Sequence, residues 1–183
     1  MFTLNRSEEN PILSPDKNKP WEAEAVFNGC PALFGKKMHL IYRAMSSPDL
    51  LHEHHMRTSV IGVYDGKKRE RFVVPTEEFD QYGCEDPRVT KLGTKYYCFY
   101  TALGNYPFSG DGIKVAVAIS KDLKSVTEKH LVTPFNAKAM GLFPEKINGK
   151  FAALLTVNTD RPPSEICYAE FDKEKDIWNK AKI

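Results

Sequence analysis

Pro87-Arg88-Val89-Thr90-Lys91-Leu92-Gly93-Thr94-Lys95-Tyr96-Tyr97-Cys98-Phe99-Tyr100-Thr101-Ala102 decides the fold, because it is one statement of a phrase that the chain makes three times. A proline opens it, Gly93-Thr94-Lys95 supplies a turn, and an apolar, aromatic run closes it, which together read as a β-hairpin. Pro31 to Ala44, with Gly35 at the turn, has the same layout, and Pro144 to Leu155, with Asn148-Gly149 at the turn, has it again. The opening prolines at 31, 87 and 144 are separated by 56 and 57 positions. Each hairpin is followed by a further apolar strand that runs into an acidic turn: Val60 to Asp65, Val115 to Asp122 and Ile166 to Asp172. Four short strands in a period of about fifty residues are the mark of a β-propeller blade. The expectation is therefore an all-β chain, residues 1–183 forming one propeller domain with blades that begin near 31, 87 and 144. Closed propellers hold about four to eight blades, so three leave the ring incomplete. Either a longer polypeptide supplies the rest, or two copies close the ring as a homo-oligomer.

Composition narrows the partners. Twenty-six Lys and Arg against 24 Asp and Glu leave a formal charge of +2 over 183 residues. No basic stripe of the kind that nucleic acid or an anionic membrane requires is present, and neither partner is expected. No apolar run approaches a membrane span, and Met1 to Arg6 lacks the basic-then-apolar layout of a signal peptide, so a cytoplasmic location is expected. Cys30, Cys84, Cys98 and Cys167 form no CxxC pair, which argues against a zinc knuckle or a disulfide framework. His52-Glu53-His54-His55 is not HExxH and falls in a loop, so no metal or other cofactor is expected there; it reads as a loop over the channel mouth. The glycines of Phe108-Ser109-Gly110-Asp111-Gly112 precede no helix and mark a hairpin connection rather than a phosphate cradle.

The chemistry concentrates in Tyr82-Gly83-Cys84-Glu85-Asp86-Pro87-Arg88, where two carboxylates and a guanidinium surround a proline. A residue before proline is pushed toward extended geometry, so Asp86 is expected to be extended at the start of a strand. In a propeller the innermost strand of each blade lines the central channel. Asn28, Asp86 and the stretch from Lys138 to Phe143 should then converge on one mouth. A carboxylate, an amide and an ammonium around a concavity make a polar ligand site with an acid in it. The plainer alternative is a ring of polar groups that cap turns.

Trp21-Glu22-Ala23, Ala25-Val26-Phe27-Asn28, Leu40-Ile41-Tyr42-Arg43-Ala44, Gly83 to Arg88, Tyr100-Thr101-Ala102 and Phe143 to Lys150 together resemble glycoside hydrolase family 130. The resemblance runs over essentially the whole chain. It implies a five-bladed propeller acting on β-mannosides with inversion, of which this chain carries about three blades. It makes Asp86 the catalytic acid, which in the family's phosphorylases acts through a hydroxyl of the mannosyl unit. It gives Asn28, Arg43, Glu85 and Arg88 the work of holding sugar hydroxyls or fixing the acid, and makes Trp21 and Glu22 substrate-binding.

The resemblance leaves two enzymes open, a phosphorylase with inorganic phosphate as co-substrate and a hydrolase. A phosphate dianion needs several cations. Where the phosphorylases carry a His-Arg pair this chain has Leu155-Thr156, and only Lys138 and Lys114 keep positive charge at matching positions. Hydrolysis is therefore the expectation, with Glu165 or Asp160 as candidate bases to activate water. A propeller that only binds carbohydrate is the reading from another functional class.

Overall fold

The computed structural model describes residues 3–183, and its regular structure is strand with three short 3-10 turns, at Pro20–Glu22, Glu78–Asp80 and Glu174–Trp178. The first blade contains β1 (Ala25–Phe34) and β2 (Lys37–Met45), then a small detached hairpin of β3 (Asp49–Leu51) and β4 (His54–Met56), then β5 (Ser59–Tyr64) and β6 (Arg69–Val73). The second is a meander of β7 (Gly83–Leu92), β8 (Lys95–Leu103), β9 (Ile113–Ser120) and β10 (Val126–Leu131). The third has β11 (Ala137–Leu142), β12 (Phe151–Val157) and β13 (Glu165–Phe171). All pairings inside the blades are antiparallel. The first and second blades touch through one parallel pair, Ser59 with Gly83, so the continuous sheet divides there into two units.

The apolar run in β8 follows from its position between two cores. Side chains alternate across a strand. Tyr96, Cys98 and Tyr100 pack with Ile41, Ile61 and Phe72 of the first blade. Tyr97 and Phe99 pack with Met140, Leu142, Leu155 and Phe171 of the third. Burying each such side chain stabilises the stack by roughly 1.5–3 kcal/mol, which is why a strand covered on both faces cannot alternate polar with apolar. β13 does alternate: Phe171 is buried, whereas Ile166 is 79% and Tyr168 50% exposed on the uncovered side of the third blade.

The innermost strands begin at Ala25, Gly83 and Ala137, ahead of the expected starts near 31, 87 and 144. Proline cannot donate to a sheet ladder, but an innermost strand has one free edge and tolerates it. Pro31 and Pro87 thus sit inside β1 and β7, while Pro144 lies beyond the end of β11. Gly35, Gly93 and Gly149 do occupy equivalent hairpin turns, with φ of 62°, 58° and 81°.

Candidate active site

Each innermost strand carries a β-bulge at the same point. In β1, Asn28 and Gly29 fall between the pairs Phe27–Arg43 and Cys30–Ile41, so two residues oppose one. In β7, Asp86 and Pro87 fall between Glu85–Thr101 and Arg88–Phe99; in β11, Ala139 and Met140 fall between Lys138–Thr156 and Gly141–Leu154. The first residue of each bulge is left-handed: Asn28 at φ 51°, Asp86 at 52° and Ala139 at 53°. A left-handed first residue is a known bulge geometry that bends the strand and re-aims a side chain. Asp86 is therefore not extended as the following proline suggested. Asn and Asp tolerate this region better than most residues, and the restriction that proline imposes falls mainly on the right-handed helical region.

The bulges bring together two of the three groups that the sequence pattern expected to converge, Asn28 and Asp86. Asn28 Nδ2 donates to Asp86 Oδ1 at 2.6 Å, although the two residues are 58 apart in the chain. Arg43 Nη1 donates to the same oxygen at 3.3 Å, Arg43 Nη2 donates to Glu85 Oε1, and Arg43 Nε donates to Ser59 Oγ at 3.0 Å. The Arg43 guanidinium also lies 4.7 Å from the centre of the Phe27 ring, a cation–π contact. Ser59 closes the group by donating to Glu85 Oε1 at 3.3 Å. Among the described residues nothing bonds Asp86 Oδ2, so that oxygen is free to face a ligand.

Burial pushes the Glu85 carboxyl up from its ordinary range, against the opposing pull of the Arg43 charge, while the neighbouring Asp86 charge adds to the rise. The Arg43 guanidinium faces both carboxylates, and the Lys138 charge also acts on Glu85.

Other expected residues stand elsewhere. Lys138 is close enough for its charge to act on Glu85, but its Nζ is paired with Asp160 Oδ1 at 2.8 Å. Burial works against ionisation of Asp160; hydrogen bonds from Lys138, Asn136 and Thr159 outweigh it and hold the carboxyl below its ordinary range. A carboxylate so fully engaged is a poor base. Glu165 is exposed at the first residue of β13, opposite Val157, two strands out from the channel. The geometry gives neither of them the part of a water-activating base toward Asp86. Arg88 is exposed and folds back on the Pro87 carbonyl, 3.0 Å from its Nη1, without reaching the acid.

Glu22 is wholly buried, accepting from Tyr42 Oη at 2.7 Å with Arg69 Nη1 at 3.5 Å, so it braces the outer face of the first blade instead of meeting a sugar. Trp21 packs on that same face with its ring centre 6.4 Å from that of Tyr42. Its side is opposite to that of Arg43, because Tyr42 and Arg43 are consecutive in β2. Ser59 is the bridging residue that sequence reasoning missed. It looks like the ordinary first residue of an apolar strand, and its importance arises only where two blades meet. The bulges did leave a signal, Asn28-Gly29 and Asp86-Pro87 interrupting strand patterns. The described residues hold no group of three or more His, Cys, Asp or Glu suited to a metal, and no helix long and apolar enough to cross a membrane.

Bulges in the first two blades aim an amide and a carboxyl at one channel mouth, and Arg43 of β2 joins them there, so the chain presents a β-propeller with a polar site at the mouth of its channel. The family described as beta-1,4-mannooligosaccharide phosphorylase matches residues 3–179, and the chain belongs to it, glycoside hydrolase family 130, whose fold is a five-bladed propeller. A beta-1,2-mannobiose phosphorylase from Thermoanaerobacter sp. (strain X514) is 39% identical over 163 residues, covering 82% of this chain and 53% of that protein. A 1,2-beta-oligomannan phosphorylase from the same strain is 34% identical over 162 residues, covering 84% and 53%. The chain thus spans about half the length of the curated relatives it matches. The solved beta-1,2-mannobiose phosphorylase of Listeria innocua superposes with a TM-score of 0.67 at 22% identity, covering 92% of this chain and 62% of that one, which fixes the shared fold.

Proposed function

We propose that the protein carrying this chain cleaves β-1,2-linked mannosides by inverting phosphorolysis, with Asp86 as the acid. The observation that carries the chemistry is the Asp86 carboxyl, held through Oδ1 by Asn28 and Arg43 with Oδ2 left open. In this reading a proton passes from Asp86 toward the glycosidic oxygen as its bond to the mannosyl anomeric carbon breaks. A phosphate oxygen forms the new bond from the opposite face, yielding α-mannose 1-phosphate and a saccharide shorter by one unit. Asn28 and Arg43 keep the acid in place, and Glu85 and Ser59 keep Arg43 in place.

The sequence-based preference for hydrolysis rested on the cations missing from Leu155-Thr156. Both Thermoanaerobacter relatives, at 39% and 34% identity, are named phosphorylases of 1,2-linked β-mannosides, and this supports phosphate over water and a 1,2 linkage in the reading proposed here. Lys138 supplies one cation from this chain, and the others are sought in the blades that complete the ring. Incubating the intact protein with β-1,2-mannobiose, with and without phosphate, tests the reading. Mannose 1-phosphate that appears only with phosphate is the expected result. Free mannose released at the same rate in its absence would restore the hydrolase, and binding without turnover would leave a carbohydrate-binding propeller.

A further inference from the structure

We propose that His52, His54, Tyr82, Tyr106 and Phe108 form an aromatic platform for the sugar units of a mannoside that lie beyond the bond being cleaved. The proposal rests on the mannoside reading above and adds to it a preference for chains of three or more units. The rings come from two blades. His52 and His54 lie on and beside the turn between β3 and β4, Tyr82 immediately precedes β7, and Tyr106 and Phe108 lie in the connection from β8 to β9. They nevertheless form one contiguous ladder. The His52 and Tyr82 ring centres are 5.1 Å apart, Tyr82 and Tyr106 6.0 Å, His54 and Tyr106 4.4 Å, and Tyr106 and Phe108 5.3 Å. At its outer end the ladder stays open to solvent, with Tyr106 38% and Phe108 46% exposed.

Its location is the rim of the mouth that holds the acid. Arg43 is near the end of β2, Asp86 near the start of β7, and the segments that carry the rings connect the same ends of these blades. Tyr82 precedes Asp86 by four residues, about 13 Å along a strand at roughly 3.3 Å per residue. A mannosyl unit seated at Asp86 therefore leaves the rest of an oligosaccharide running outward past Tyr82. Pyranose rings present flat C–H faces that bury well against aromatic faces, whereas their hydroxyl edges remain hydrated.

The outer ring carrier is held firm, as a binding surface needs to be. Gly104 N donates to Gly112 O at 2.8 Å, and Asn105 Nδ2 donates to Ser109 Oγ at 2.8 Å across the same loop. A Cβ placed on Gly112 would lie 2.8 Å from the Asn105 backbone N, so any larger residue there would force the loop to shift. From the third blade, Arg161 Nη2 bonds Asp111 at 2.5 Å. Such preorganisation lowers the ordering cost of binding.

The test compares kcat/KM for β-1,2-linked mannotriose with that for mannobiose, in the intact wild-type protein and in Tyr106→Ala, Phe108→Ala and Tyr106→Phe. Their ratio cancels the fraction of enzyme that is correctly folded. A fall in the ratio of about fivefold or more in both alanine variants, with the ratio kept in Tyr106→Phe, is expected for one stacked ring lost. An unchanged ratio in the alanine variants would overturn the platform and leave the rings as packing that closes the loop. Failure of the wild type to turn over either mannoside would sink the mannoside reading itself, and the platform with it.

Discussion

Asn28 joins two physical effects that substitution can separate, its left-handed backbone and its bond to the acid. At φ 51° a residue with a Cβ is strained, and for most residues the left-handed region costs about 1–2 kcal/mol. Asn28→Gly removes the strain and the side chain together; Asn28→Ala removes the side chain and imposes the strain. Glycine loses roughly 0.5–1 kcal/mol more backbone entropy than alanine on folding. The alanine variant should therefore be less stable than the glycine variant by about 0.5–1 kcal/mol, the reverse of their order in an ordinary strand. Both variants lose the 2.6 Å donation to Asp86 Oδ1. A hydrogen bond to a charged group contributes about 1.5–3 kcal/mol, and partial exposure here argues for the lower end, which corresponds to about tenfold in rate if the bond orients the acid in the transition state. The expected pattern is thus a stability difference between glycine and alanine, read from urea midpoints, with an equal loss of about tenfold in kcat for both. Wild-type turnover in Asn28→Gly would refute the orienting role. An alanine variant at least as stable as the glycine variant would refute the left-handed bulge.

The remaining predictions use the same assays. Asp86→Asn, which keeps a residue tolerant of φ 52°, should lower kcat by about a hundredfold or more with little change in the urea midpoint, and near-normal turnover would deny Asp86 the acid's role. Ala139→Gly should stabilise the protein by about 0.5–1 kcal/mol, because the alanine sits at φ 53° with no polar side chain to compensate. Backbone hydrogen bonds from Ser125 and Lys124 depress the Asp122 carboxyl from 3.8 to about 2. Its contribution to stability is accordingly complete above the ordinary carboxylate pKa and lost as pH falls toward about 2, so Asp122→Ala should flatten the acid limb of stability against pH in that window, and an unaltered limb would remove Asp122 from the balance.

Strands, hairpins and the blade repeat were legible because they depend on local rules: alternation, apolar runs and a glycine at each hairpin turn. The phase of the repeat was not. Prolines at 31, 87 and 144 suggested intervals of 56 and 57, whereas the bulge residues at 28, 86 and 139 are spaced by 58 and 53. Proline marks a free strand edge, which an innermost strand offers along its whole length, so its position can drift. The bulge re-aims a side chain into the channel, so its position within the blade holds. The meeting of Asn28 with Asp86 was legible once blades were assumed, and the part of Arg43 and Glu85 beside them came from the family resemblance. The capture of Lys138 by Asp160, the burial of Glu22 under Tyr42 and the seam position of Ser59 were not, because each depends on which strands become neighbours.

The three bulges also bear on where a nucleophile can enter. They present Asn28, Asp86 and Ala139 at equivalent points, so the first blade supplies a donor, the second an acid, and the third only a methyl group. An inverting displacement needs its nucleophile on the face of the sugar opposite the acid, which calls for a wall at a distance from Asp86. In the third blade the nearest charge is Lys138, one residue before the bulge and tied to Asp160 at 2.8 Å. On the phosphorolysis reading, a dianion arriving there would have to share Lys138 with that carboxylate, and a single shared ammonium compensates little of the desolvation of phosphate. On the same reading, the asymmetry would give the acid side of the reaction to the blades of this chain. It would leave most of the positive charge for a phosphate nucleophile to the blades that close the ring, and a count of cations in these 183 residues alone would then favour water, as the sequence reading did.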